Sequence, residues 1–274
     1  MKLIDRLSGQ LGISKKKAKA LLDRRLVFVN ARRVWIASFE VGPCDVIEVA
    51  GDPGDNRSTA GAGPRTLYED ENLLVIDKPA GLLSVGPGSA EILLRKTMKN
   101  REISACHRLD RDTSGVMVLA KNRVGLEKME KLFKERGVKK TYLALVAGRV
   151  QFDQKTVDSP LEGQPSVSSF TLLEAGAEAS LLEVRIATGR THQIRKHLQG
   201  LGLHLIGEKE YDLGTVRKEI FRKAARQMLH SCSLSFADPF KPGTIEVRAE
   251  PPEDFKRIAG QAGLKISHWR SSHQ

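Results

Sequence analysis

The apolar positions along the chain change period at a single break. Before it, Leu3, Leu7 and Leu11 recur at helical spacing, and Ala18, Leu21 and Leu22 form an i, i+3, i+4 stripe behind the capping residue Ser14. Strand-like Val27-Phe28-Val29 follows, then the turn Asn30-Ala31 and a second apolar run, Val46-Ile47-Glu48-Val49. Residues 51–66 contain no Val, Ile, Leu, Met or aromatic residue, but four glycines and two prolines. A stretch with so little apolar surface cannot offset the entropy of ordering itself, so it reads as a linker. It would separate a domain of residues 1–50 from a larger one of residues 67–262, with a tail over residues 263–274.

Beyond the break, short apolar runs outnumber helical patterns. Strands are predicted over Leu73–Ile76, Val116–Ala120, Thr141–Val146, Ser168–Leu173, Ala179–Ala187, Leu229–Phe236 and Thr244–Ala249. Helices are predicted over Glu91–Lys99, Arg123–Arg136 (Asn122 as cap, Gly137 as stop) and Thr191–Leu198. No steady strand–helix–strand rhythm appears. The class is therefore α+β, a large mixed, mostly antiparallel sheet preceded by a small α+β domain. There is no internal repeat, dinucleotide fingerprint or P-loop, and no nucleotide cofactor is expected.

Composition and charge narrow the partner. With 40% apolar residues the chain can build a proper core, and its net charge of +12 points toward a polyanion, nucleic acid before an acidic membrane. Residues 1–35 hold ten Lys or Arg against Asp5 and Asp23, a local balance of +8, so the excess is concentrated at one end. Lys15, Lys16, Lys17, Lys19 and Arg24 cover the second helix, which has three modest apolar residues and lacks the large exposed aromatics of a membrane-lying helix. Cys44, Cys106 and Cys232 are scattered, which fits a reducing compartment better than a disulfide framework or a zinc site. No apolar leader precedes the first lysines and the apolar runs are strand-sized. A cytoplasmic, monomeric protein without membrane span or bound metal is expected.

The densest chemistry lies in His107-Arg108-Leu109-Asp110-Arg111-Asp112-Thr113-Ser114-Gly115, just ahead of the apolar run Val116–Ala120. Arg108 and Arg111 flank Asp110, and neighbouring positive charge favours an anionic carboxylate, the form a nucleophile requires. Alone, the same residues also suit an Asx turn that opens a strand among solvated arginines.

Extended to Lys121, this run resembles the catalytic loop of the RluA-type pseudouridine synthases. Three further blocks resemble segments of that family, in the same order: Leu67 through Gly81, Lys140 through Val146, and Gly189-Arg190-Thr191-His192-Gln193-Ile194-Arg195. The stretch from Leu229-His230 to Asp238-Pro239 is similar to its closing strands, so the likeness spans roughly residues 67 to 255. The N-terminal helix pair and strands look like the alpha-L RNA-binding module, with Arg25 and Ala31 at positions where glycine is usual.

The resemblance implies an enzyme that isomerises uridine to pseudouridine within RNA, without a cofactor. Asp110 matches the essential aspartate, Arg195 the arginine that pairs with it, and Tyr142 the tyrosine beneath the target base. His107 and Arg108 would fill the space vacated by a flipped base or contact the RNA backbone. Lys121 and Arg190 also occupy motif positions, with supporting or RNA-contacting roles. Leu205 and Glu208 depart from the usual proline and aspartate, as Cys232 and Asp238 depart from a small residue and a histidine. The expected substrate is large-subunit ribosomal RNA or its precursor particle, with transfer RNA as the alternative. Two other classes compete with this reading. A non-catalytic RNA-binding or ribosome-assembly protein on the same fold is disfavoured by retention of all three of Asp110, Tyr142 and Arg195. A glycosidase is disfavoured because Asp110 and Asp112 at i, i+2 sit among arginines.

Overall fold

The computed structural model describes residues 1–23, 27–30, 32–34, 36–42, 45, 47–49, 63–211, 221 and 224–266. The chain divides into two compact units, residues 1–60 with 223–225, and residues 61–222 with 226–274.

In the first unit, α1 (Leu3–Leu11) and α2 (Lys15–Asp23) precede β1 (Val27–Val29), β2 (Arg32–Arg33) and β3 (Ile47–Val49). The strands form an antiparallel sheet in the order β2-β1-β3. Leu3, Leu7, Ala18, Leu22, Val27, Val29 and Ile47 make one core. The third leucine of the stripe, Leu11, stays exposed beside the left-handed Gly12 that ends α1. Ser14 Oγ accepts from the Lys17 N–H at 3.3 Å, the cap its position suggests. Asn30, at φ 49°, follows β1 in the left-handed backbone region that asparagine tolerates. On α2, Lys15 pairs with Asp5 at 2.7 Å and Lys19 with Asp23 at 3.2 Å, while Lys16 and Lys17 are exposed. Arg24, Arg25, Ala31, Val46, linker residues 51–62 and the tail from residue 267 lie outside the described residues.

The second unit is built on one sheet of eleven described strands. Its elements are β4 (Arg65–Glu69), β5 (Leu73–Lys78), α3 (Ala90–Thr97), β6 (Ser104–Ala105), β7 (Ser114–Ala120), α4 (Arg123–Lys134), β8 (Val138–Ala147) and β9 (Gln154–Asp158). There follow β10 (Val167–Ala175), β11 (Ala179–Ile186), α5 (Gln193–Gly200), β12 (His204–Leu205), β13 (Leu229–Ala237), β14 (Thr244–Arg248) and α6 (Glu253–Gln261). The order is β4-β5-β7-β13-β8-β11-β10-β9, with β6, β12 and β14 pairing off that path. Every described pairing is antiparallel except β7 with β13. β5 and β7 are apolar on both faces. Leu74, Ile76, Met117 and Leu119 face one core with Tyr142, Val184 and Ile194, whereas Leu73, Val75, Val116 and Val118 face another with Met129, Leu234 and Phe236.

Several boundaries differ from expectation, each for a local reason. Arg65 and Thr66, linker-like by composition, pair with Asp77 and Ile76 as the start of β4. β9 is not among the expected strands because Gln154–Asp158 is a polar edge strand, held by its ladder to β10 rather than by apolar alternation. Helix α6 does carry a stripe, Phe255, Ile258 and Ala259, all buried. The core also runs past residue 262, since Leu264 is buried and its N–H bonds the Ala259 carbonyl behind left-handed Gly263. Helix α5 starts at Gln193 rather than Thr191, because His192 takes φ 54° and ψ 27°.

Candidate active site

The segment between β6 and β7 carries Asp110 at its apex, and its backbone is fastened on several sides. Ser84 Oγ donates to the Leu109 carbonyl at 2.7 Å and accepts from the Leu109 N–H at 2.9 Å. Lys78 is wholly buried and donates to the carbonyls of Pro79, Leu82 and Arg111. Burial pushes its amine down to about 7. Arg226, equally buried, donates to the Asp112 carbonyl at 3.1 Å while Asp254 holds its guanidinium at 2.6 and 2.9 Å. At the start of β7, Gly115 lies against Ser231 of β13 at φ 112°, and any Cβ there would collide with the Ser231 carbonyl.

The charge beside Asp110 comes mainly from a distant element. Arg111 turns to Asp112 at 3.3 Å, and the partner of Asp110 is Arg195 on α5, whose Nη1 lies 3.3 Å from Oδ2. Arg195 is itself gripped by Glu208, which accepts from Nε and Nη2 at 2.7 Å each, and by Glu210 at 3.3 Å. Glu208 also accepts the N–H groups of Lys209, Glu210 and Tyr211. Burial alone would raise its carboxyl, but Arg195 and these amides pull it down to about 2. The guanidinium is therefore oriented by one bidentate carboxylate, which leaves Nη1 for Asp110. His192 stands on the other side, with Nε2 3.8 Å from Asp110 Oδ1 and Nδ1 2.9 Å from the Tyr211 hydroxyl.

Tyr142 on β8 completes the group. Burial, and then the negative charge of Asp110, push its phenol above the ordinary tyrosine value, so the hydroxyl keeps its proton at neutral pH. Asp110, Tyr142, His192 and Arg195 line one recess of about 70 Å³. The recess adjoins a cleft of about 940 Å³ in which, among the described residues, Asp110 is the one acid in the lining against six Arg and Lys, among them Arg108, Arg136, Lys140 and Arg190. A cleft so charged attracts a polyanion and leaves one carboxylate at its floor.

The chain is similar to known proteins. Residues 72–200 match the family model described as RNA pseudouridylate synthase. A Vibrio cholerae protein named ribosomal large subunit pseudouridine synthase C is 32% identical over 279 residues, covering 89% of this chain and 87% of its own length. The chain belongs to the RNA pseudouridylate synthases. The Escherichia coli protein of the same name is 37% identical over 215 residues, covering 69% of this chain and 66% of its own. The fold is also that of human RNA pseudouridylate synthase domain containing 4, with a TM-score of 0.64 at 24% identity over 74% of this chain and 94% of that one.

Within this pseudouridine synthase, the residues singled out by sequence part into two sets. Asp110, Tyr142 and Arg195 converge although Arg195 is 85 positions from the aspartate. Arg108 and Arg190 line the cleft, Arg190 with its Nε 3.4 Å from the Pro165 carbonyl. Two others are tied to the backbone: His107, which also lines the cleft, and Lys121. His107 tilts against Phe133, and its Nε2 accepts from the Val118 N–H at 3.1 Å. Burial, then the charge of Lys140, push the ring down to about 3, so it is a neutral brace for the loop. Lys121 sits at the far end of β7, bonded to Glu69 at 2.6 Å and to the Asp70 carbonyl at 2.7 Å. Lys78, Ser84 and Arg226 escape sequence reasoning, since each acts through backbone carbonyls and carries no pattern of its own. His192 could have been found, being three residues before Arg195 in one motif.

Proposed function

We propose that this enzyme acts on large-subunit ribosomal RNA, free or in a precursor particle, as a cytoplasmic monomer whose first fifty residues add an RNA grip. The observation that carries the reading is Asp110, held by Arg195 in a cleft whose other charged lining residues, among those described, are all cationic. Support for the ribosomal substrate is the shared name of the Vibrio cholerae and Escherichia coli relatives.

Isomerisation breaks the bond from ribose C1′ to N1 of uracil, turns the base, and forms the bond from C1′ to C5. The proton leaving C5 is balanced by one gained at nitrogen, so nothing external is consumed. In this assignment Asp110 supplies the anionic oxygen, as nucleophile or as stabiliser of the cation left when uracil departs. Arg195 fixes the carboxylate. Tyr142 supplies the platform under the extruded base and, still protonated, an O–H toward it. Arg108 and Arg190 hold the phosphates on either side of the target.

Mapping pseudouridines in total RNA from cells with and without the gene tests this. Large-subunit sites should disappear, return with the wild-type gene, and stay absent with Asp110→Asn, while that variant still binds the RNA. Loss confined to transfer RNA would overturn the ribosomal substrate, and normal turnover by Asp110→Asn would overturn the role of Asp110.

A further inference from the structure

The face of the sheet opposite Tyr142 carries a polar row that the reaction does not use. Side chains alternate along β8, so Thr141 points away from the face that Tyr142 serves. The strand registers place Ser169 beside Arg185, Arg185 beside Thr141, Thr141 beside Ser233, and Ser233 beside Arg248. Hydroxyls and guanidinia thus cross five strands, from β10 through β11, β8 and β13 to β14. From Arg185 to Arg248 is three strand spacings, ~14 Å. Thr141 and Ser233 are nearly buried at the floor, whereas Lys139 and Arg185 are exposed at the walls.

This row floors a second cleft of about 620 Å³. Its lining holds five cationic residues and one acid, Glu246, which pairs with Arg248. Glu183, just beneath, pairs with Arg185 at 2.8 Å, and the surplus positive charge remains. Among the described residues no aromatic side chain lines it, so they offer no surface on which a base could stack. Arg136, Lys140, Ile186 and Ala187 line both this cleft and the active-site cleft, so the two are continuous around the ends of β8 and β11.

We propose that the RNA strand flanking the target uridine passes over the rim at Arg136 and Lys140 and lies single-stranded along this second cleft. Its phosphates meet the guanidinia, the Lys139 amine and the row of hydroxyls, groups that position RNA without reading its sequence. The inference rests on the assignment of RNA-uridine isomerisation to the first cleft.

The test uses the full chain and an RNA whose uridine it demonstrably converts, made in three lengths: ending close to the target, extended 5′, or extended 3′. The double variant Lys139→Gln, Arg185→Gln should bind the short RNA as wild type does and convert it at the same single-turnover rate. One extended RNA should gain affinity with wild type and not with the variant. The variant's log–log salt slope on that RNA should be shallower by about 1.4, or about 0.7 for each phosphate it no longer neutralises. The charge-keeping variant Lys139→Arg, Arg185→Lys should behave as wild type, which separates an effect of charge from a disturbed sheet. Equal affinity and slope for wild type and the neutral variant on both extended RNAs would overturn the proposal. A protein that converts no uridine in any RNA would instead overturn the functional reading beneath it.

Discussion

Arg195 is held more firmly by Glu208 than by Asp110, with two bonds at 2.7 Å against one at 3.3 Å. Glu208 therefore sets where the guanidinium points, and Asp110 takes the direction left over. Glu208→Gln removes the charge but not the shape, leaving Arg195 free to swing toward Glu210 or fully onto Asp110. A misplacement of about 1 Å at a reacting group costs on the order of a hundredfold in rate. Single-turnover conversion by Glu208→Gln should fall to about that extent with RNA affinity within about twofold, and Glu208→Asp should recover part of the loss. A change in affinity alone would show that Glu208 serves RNA binding and not the geometry of Asp110.

At the scale of elements, the seam between β7 and β13 holds the loop in place. Their parallel pairing covers only two residue pairs, reinforced by the His230 ring, which accepts from Ser114 Oγ at Nδ1 and donates from Nε2 to the Ala249 carbonyl. That pattern requires a neutral ring, and burial pushes His230 down to about 4. The unfolded chain then binds the extra proton between about pH 6.5 and 4, so stability is lost as pH falls through that window. A shift of this size corresponds to ~3 kcal/mol at one site. Urea unfolding followed from pH 7 to 4 should show the loss, and His230→Gln, less stable at pH 7, should lose about one proton's worth less. Equal pH slopes in both proteins would mean that His230 does not titrate on unfolding.

At the scale of the whole molecule, each unit presents positive charge of its own. Lys16 and Lys17 on α2 are exposed in the first unit, while the second carries the basic cleft around Asp110. Deleting residues 1–50 should weaken RNA binding and flatten its salt dependence, by about 0.7 in log–log slope for each single-strand phosphate this unit neutralises. Slow conversion should persist at excess RNA, since Asp110, Tyr142 and Arg195 all belong to the second unit. An unchanged slope would show that this unit does not touch the RNA backbone.

The sequence alone determined what depends on neighbours along the chain. The apolar runs Leu73–Ile76 and Val116–Ala120, the Ser14 and Asn122 caps, and the loop around Asp110 could be read directly, because apolar runs, capping and turn chemistry are local. Asp110, Tyr142 and Arg195 were legible only through a family resemblance, since nothing within a few residues of any of them dictates the other two. The tertiary structure decided the rest. It turned Arg111 to Asp112, drew Arg195 across 85 positions, and tied His107 and Lys121 to backbone groups. It also decided which strands adjoin, and so which hydroxyls and arginines line up behind Tyr142. Partners of that kind are chosen by distance in space, and a polar side chain's sequence neighbours carry little record of which buried carbonyl or carboxylate it will meet.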